Sequence, residues 1–237
     1  MIKIAIGAGH YIDTPGKRIP ANLDAAETRE WILNNRVADI LEILLKSYDC
    51  EVLRVDDTTG KKDVSLSERC RIANEWGADV YLSIHHNAGI NGGSGGGTVV
   101  FYYSSKAERK EQAQALYNSI VSNTGLIGNR AGKVVKKAYA VLKGTNMPAF
   151  LIENGFMDSK VDVPIILSDE HAEKTAQGIL NFLVEEFTLI KKKAQNEASS
   201  SAQGKVYHVQ VGAYSNRENA EAMLQRLKAD GYEGIIV

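Results

Sequence analysis

Short runs of β-branched and apolar residues alternate along this chain with longer segments of helical periodicity, and that alternation limits the fold more than any other feature. "IKIAIGAGH" (2–10) reads as a buried strand running into a glycine turn. "EWILNNRVADILEILLKSY" places Ile32, Val37, Ile40, Leu41, Leu44 and Leu45 at helical spacing. "CEVLRV" is a second strand, and "SLSERCRIANEWG" a helix with Ser65 and Glu68 spaced as a capping box and Gly77 as its stop. "ADVYLSIHHN" and "TVVFYY" are further strands, separated by the glycine loop "GGSGGG" (92–97), which is expected to be flexible. A helix around "KAERKEQAQALYNSIVSNTG" follows. "YAVLKGTNMPAFLIENGF" is expected to hold a short strand, a turn and a strand, and "DEHAEKTAQGILNFLVEEFTLI" closes this part as a helix. Such alternation predicts an α/β fold, a largely parallel twisted sheet flanked by helices.

The texture changes after Ile190. "KKKAQNEASSSAQGK" lacks periodicity and reads as an exposed linker over 191–205. Residues 206–237 then read as strand, helix, strand, with Asn216 as helix cap and Gly231 as helix stop, a small βαβ fragment beside a single larger domain of residues 1–190.

With 237 residues, 44% of them hydrophobic, the chain can bury a sizeable core. A net charge of −1 provides no concentrated basic face, so nucleic acid is not an expected partner. No run approaches the roughly 20 apolar residues that span a bilayer, and no membrane insertion is expected. Cys50 and Cys70 are too few and too far apart for a thiolate site or a disulfide framework. The start of the chain carries no signal-peptide pattern, so synthesis in the cytoplasm is expected.

Chemistry in open α/β sheets collects beyond the carboxyl ends of strands. His10 follows the first strand, His85 and His86 end the third, and Glu153 ends the last strongly apolar one, while Glu27 and Glu30 precede the first long helix. Two imidazoles and a carboxylate with an open fourth position make a catalytic zinc site, and a further carboxylate would serve as its general base. Each residue also has an ordinary explanation: a turn histidine, a solvent-facing strand end, acids favoured by a helix dipole. Glu153, inside "PAFLIENGF", is the hardest to explain away, because a buried carboxylate is costly without a partner.

The ordered set "GAGH", "EWILNNRVADILEILL", "LSERCRIAN", "ADVYLSIHHNA", "GGGTVVFYY", "NRAGK" and "VLKGTNMPAFLIENGFMDS" resembles the zinc-dependent N-acetylmuramoyl-L-alanine amidases of bacterial autolysins and phage endolysins. The resemblance implies one Zn²⁺ held by His10, Glu30 and His85, with Glu153 as the catalytic carboxylate. The family pattern Ser-Ile-His-x-Asn selects His85, and strand alternation turns His86 to the opposite face. Register with Asn34 and Ala38 selects Glu30, with Glu27 as the fallback. His86 and Asn87 are candidates for substrate contact; for His86 a packed position behind the ligands is the favoured alternative. Tyr11 and Ile12 stand where the family often has glycine, which implies a different loop over the metal.

Residues 206–237, "YHVQVGAYSNRENAEAMLQRLKADGY" in particular, resemble the first half of a SPOR domain, a fold that binds glycan strands of peptidoglycan. Bacterial peptidoglycan is thus the implied partner. A phage or prophage endolysin reaching the wall through a holin is the expected setting, and a sporulation-stage lytic amidase the alternative. Two rival readings are a non-catalytic wall-binding protein and a zinc peptidase or deacetylase. "GGSGGG" precedes a strand rather than opening a helix, so it is not read as a phosphate loop.

Overall fold

A computed structural model describes residues 1–129, 133–192, 221, 224 and 225. The chain divides into two compact units, Met1–Lys193 and Ala194–Val237. Residues 193–205 of the expected linker and most of the expected strand–helix–strand tail, Asn216 and Gly231 included, lie outside the described residues. Lys191 bridges Tyr48 and Lys192 N–H donates to Ser47 O (2.8 Å), and Glu221, Leu224 and Gln225 are helical.

Among the described residues, six strands form one sheet: β1 (Ile2–Ala8), β2 (Cys50–Arg54), β3 (Val80–Asn87), β4 (Thr98–Tyr102), β5 (Val134–Lys136) and β6 (Ala149–Phe156). Their order across the sheet is β2-β1-β3-β6-β4-β5. All neighbours run parallel except β4 and β6. The helices are α1 (Glu30–Leu45), α2 (Leu66–Trp76), α3 (Ala107–Thr124), α4 (Ala140–Lys143), α5 (Val163–Ile166) and α6 (Asp169–Glu186).

Strand alternation builds two separate cores. Ile4, Ile6, Leu82, Ile84, Phe150 and Ile152 point to one face and meet the apolar sides of α1, α3 and α6. Ala5, Tyr81, Phe101 and Leu151 point to the other, against Cys70 and Ala73 of α2 and Val141 and Leu142 of α4. Helix α1 buries Leu33, Val37, Leu41 and Leu45 as one stripe, each contributing about 1.5–3 kcal/mol of transfer free energy. Ser65 caps α2 by accepting from the Glu68 N–H, and Gly77 closes it in the left-handed region at φ 71°. The Glu68 carboxylate turns to Arg71 instead of completing the box.

Two local expectations are corrected. "YAVLK" is not a strand: Ala140–Lys143 is a turn of helix on the second core, and the strand lies earlier, at Val134–Lys136. Val141 and Leu142 bury adjacent side chains against that core, which a helical turn permits and strand alternation does not. The glycine loop is held by fixed partners: Asp162 accepts from Gly97 N–H (2.7 Å), Asn129 Oδ1 from Gly96 N–H (3.3 Å), and Gly95 O from Ser159 Oγ (2.5 Å). Those partners lie far away in sequence, so composition alone read the loop as free.

Candidate metal centre and active site

The carboxyl ends of β1, β3 and β6 are adjacent in the sheet, and the first turn of α1 returns to the same edge. His10 follows β1 with φ 66°, a conformation unusual for a residue with a side chain. Arg69 of α2 holds that turn. Its guanidinium is buried, donating to Ala8 O (2.5 Å), His10 O (2.9 Å) and Val64 O (2.9 Å). An arginine satisfied by three carbonyls is fixed by its planar fork. Sequence reasoning gave Arg69 no role; two of its partners, Ala8 O and His10 O, lie about 60 positions away in sequence at the end of β1.

Glu30 opens α1 and is only 1% exposed. Its Oε1 lies 3.1 Å from His85 Nδ1, and its Oε2 lies 3.3 Å from His10 Nε2 and 3.5 Å from Lys17 Nζ. The His10 and His85 rings meet edge to face, centroids 5.1 Å apart. One donor atom from each of His10, Glu30 and His85 lies within 4.8 Å of the others. Burial pushes the Glu30 carboxyl up, but hydrogen bonds from His10 and His85 outweigh it and hold the group well below the ordinary carboxylate range. Glu27 is elsewhere: its carboxylate pairs with Arg18 Nε at 2.9 Å, both side chains half exposed.

Glu153 is the register partner of His85 on the neighbouring parallel strand, so both side chains rise from the same face. Its Oε2 is buried and has no hydrogen-bond partner among the described residues. Burial, reinforced by the charge of Glu30 and opposed by Lys17, pushes the Glu153 carboxyl well above its ordinary value. Two neighbouring acids are therefore driven apart, one ionised and one ready to hold a proton.

His86 faces the other way. It is 2% exposed, with Nδ1 2.8 Å from Asn34 Oδ1. The idea that His86 contacts substrate is corrected here, and the packed position is the observed one. Asn34 Nδ2 in turn donates to Gly9 O (3.1 Å) and Glu30 Oε1 (3.4 Å), so His86 supports Glu30 through Asn34. Burial, then the neighbouring His171, push the His86 imidazole down to about 3. Asn87 is half-buried at the end of β3, its Oδ1 accepting from Ala88 N–H (2.9 Å).

Asp158, which sequence reasoning passed over, accepts three backbone N–H groups on one oxygen: Gly89 and Ile90 at 2.8 Å and Asn91 at 2.7 Å. The loop leaving His85 is thereby bound to the segment that follows Glu153. "MDS" held a visible acid, but nothing in the sequence named its partners.

Two imidazoles and one ionised carboxylate suit a divalent cation of zinc's type, and the half-unpaired Glu30 Oε2 has capacity for one.

Known proteins agree with this layout. The sequence profile of the family described as N-acetylmuramoyl-L-alanine amidase matches residues 4–185, and that of the SPOR domain matches 189–237. The sporulation-specific N-acetylmuramoyl-L-alanine amidase of Bacillus subtilis (strain 168) is 30% identical over 237 residues, 100% of this chain and 85% of that one. The endolysin of Bacillus phage SPP1 is 28% identical over 189 residues, 79% of this chain and 66% of the phage protein. The crystal structure of an N-acetylmuramoyl-L-alanine amidase from Clostridium difficile 630 superposes with a TM-score of 0.69 at 29% identity, covering 79% of this chain and 97% of that one. With the family profile matched over residues 4–185 and a relative 30% identical along the whole chain, this chain belongs to the N-acetylmuramoyl-L-alanine amidase family.

Proposed function

We propose that the chain hydrolyses the amide joining the lactyl group of N-acetylmuramic acid to L-alanine of the peptidoglycan stem peptide, with one zinc ion held by His10, Glu30 and His85. The observation that carries this reading is the meeting of those three donors beside the unpartnered oxygen of Glu153. Zinc, when bound, supplies Lewis acidity: it polarises a carbonyl and makes a water acidic at pH about 7. The chain's own residues do the rest. Glu30, kept ionised, contributes the negative charge, and Arg69 and Asn34 fix the backbone and carboxylate around it. Glu153 accepts the proton of the attacking water on its carboxylate and delivers it to the departing alanine nitrogen. The products are a lactyl carboxylate and a peptide with a free amine. Asn87, at the end of β3, is the candidate for substrate contact.

The assignment of residues 1–190 to catalysis, 191–205 to a linker and 206–237 to wall binding belongs to the same proposal, supported for the tail by the SPOR match. Its glycan would be peptidoglycan. A phage setting, with passage through a holin, has the endolysin match in its favour; a sporulation setting has the match that spans the whole chain. Among the described residues no helix is long and apolar enough to cross a membrane.

The test is fragment analysis of digested wall, with and without chelator. Intact stem peptides beginning at a free L-alanine support the amidase. Internal peptide cleavage or released acetate would support the peptidase or deacetylase, and wall binding without fragments the non-catalytic binder.

A further inference from the structure

Lys17 belongs to none of the groups named so far as ligand or base, yet its ammonium lies 3.5 Å from Glu30 Oε2. Its backbone is tightly placed. Glu30 N–H donates to Lys17 O (3.0 Å), Ile19 N–H donates to Thr28 O (2.9 Å), and Arg18 bridges Arg29 in antiparallel fashion. Ile19, fully buried with Leu33, Met157 and Ile166, anchors the segment. The side chain of Lys17 is 43% exposed. Among the described residues it is the one ammonium paired with this carboxylate.

That pairing suits the metal-free chain. A divalent cation between His10, Glu30 and His85 repels an ammonium from the same carboxylate oxygen, because two cations compete for one charge at close range. The flexible four-carbon stem then swings the ammonium outward while its root stays at the mouth of the site. Glu30 contacts His85, the register partner of Glu153, so the ammonium of Lys17 lies at the cluster that also holds the general base. A cation displaced from its own carboxylate is best satisfied by another, arriving with the substrate.

We propose that in the metal-loaded enzyme Lys17 binds a carboxylate on the departing peptide, and so selects stem peptides whose residue after alanine is acidic over their amidated forms. This rests on the amidase reading above. Lysine provides a point charge without bidentate geometry, so the preference is one of charge and weakens as salt rises.

The test is calorimetric titration of zinc-loaded protein carrying Glu153→Gln, which blocks turnover, with N-acetylmuramoyl-L-alanyl-glutamate and with its α-amide. The acid should bind about tenfold more tightly than the amide. Adding Lys17→Gln should erase that ratio by weakening the acid alone, and Lys17→Arg should retain most of it. An acid-to-amide ratio near one, or a ratio that survives Lys17→Gln, overturns the proposal, as does equal weakening of both ligands. The parent chain is assayed in parallel for release of free L-alanine termini from both compounds. Absence of release from either overturns the amidase reading, while the affinity ratios still decide the role of Lys17.

Discussion

His85 and Glu153 are register partners across the parallel β3–β6 pair, so an imidazole of the metal group and the unpartnered carboxylate stand side by side on one face of the sheet. The separation is set by the spacing of adjacent strands, about 4.8 Å, and not by a loop. The pair is therefore preorganised, and substrate need not assemble it.

Replacing Glu153 with Gln keeps the shape and removes the base. Hydrolysis of wall should fall by about 10²–10⁴-fold, while zinc content and melting temperature stay at the values of the parent. An active variant would mean that the proton is carried by another group.

Gly9 has no side chain because the His85 ring fills the space: a Cβ there would overlap its imidazole. Gly9→Ala should push His85 off the metal and weaken zinc binding by at least about tenfold. Chelator competition measures this directly. Unchanged affinity would place His85 outside the ligand set.

Asn34 connects His86 to Glu30 and to Gly9 O. Asn34→Ala leaves Glu30 without that support and should cost about 10–100-fold in zinc affinity. Loss of stability with intact affinity would make the Asn34 contact one of packing alone.

Acid should unfold the chelator-treated protein through its buried histidines. Burial lowers His85, His86 and His171, the second to about 3 from an ordinary 6.5. In the window between those values the unfolded chain binds the proton and the folded one does not. The contribution of these histidines is thus complete above pH 6.5 and is lost as pH falls, each adding a slope of up to about 1.4 kcal/mol per pH unit. Glu153 acts oppositely: its raised carboxyl keeps its proton in the fold, and that contribution is lost as pH rises. Denaturant melts of His86→Gln against the parent between pH 4 and 7 isolate one histidine. The variant should show the shallower pH dependence, and identical slopes would refute the assignment.

Much of this architecture was legible along the chain because hydrophobic period reports directly on burial. Ile4 and Ile6, or Val37, Leu41 and Leu45, carry their strand or helix in their spacing, whereas Ile32, counted in the same helical pattern, is exposed and Leu33 takes the buried position. The ligand trio was legible from its position at strand and helix ends, together with the resemblance. What escaped depends on contacts between distant segments. Arg69 is a helix residue until its carbonyl partners at the distant end of β1 are known. Asp158 fixes the loop after β3 by accepting the N–H groups of Gly89, Ile90 and Asn91, some 67–69 positions away. Lys17 sits in a loop with no periodicity, and only the small antiparallel pairing with residues 28–30 brings it to Glu30. The helical turn at Ala140–Lys143 was misread because its four residues are too few to display a period.

The central claim is that His10, Glu30 and His85 jointly grip one zinc ion. Elemental analysis after dialysis against trace zinc tests it most directly, on the parent chain and on His10→Ala, Glu30→Ala, His85→Ala and Glu153→Gln. One zinc per chain is expected in the parent and in Glu153→Gln, and far less than one in each of the other three. A parent that retains no zinc, or a full complement in Glu30→Ala, would contradict it.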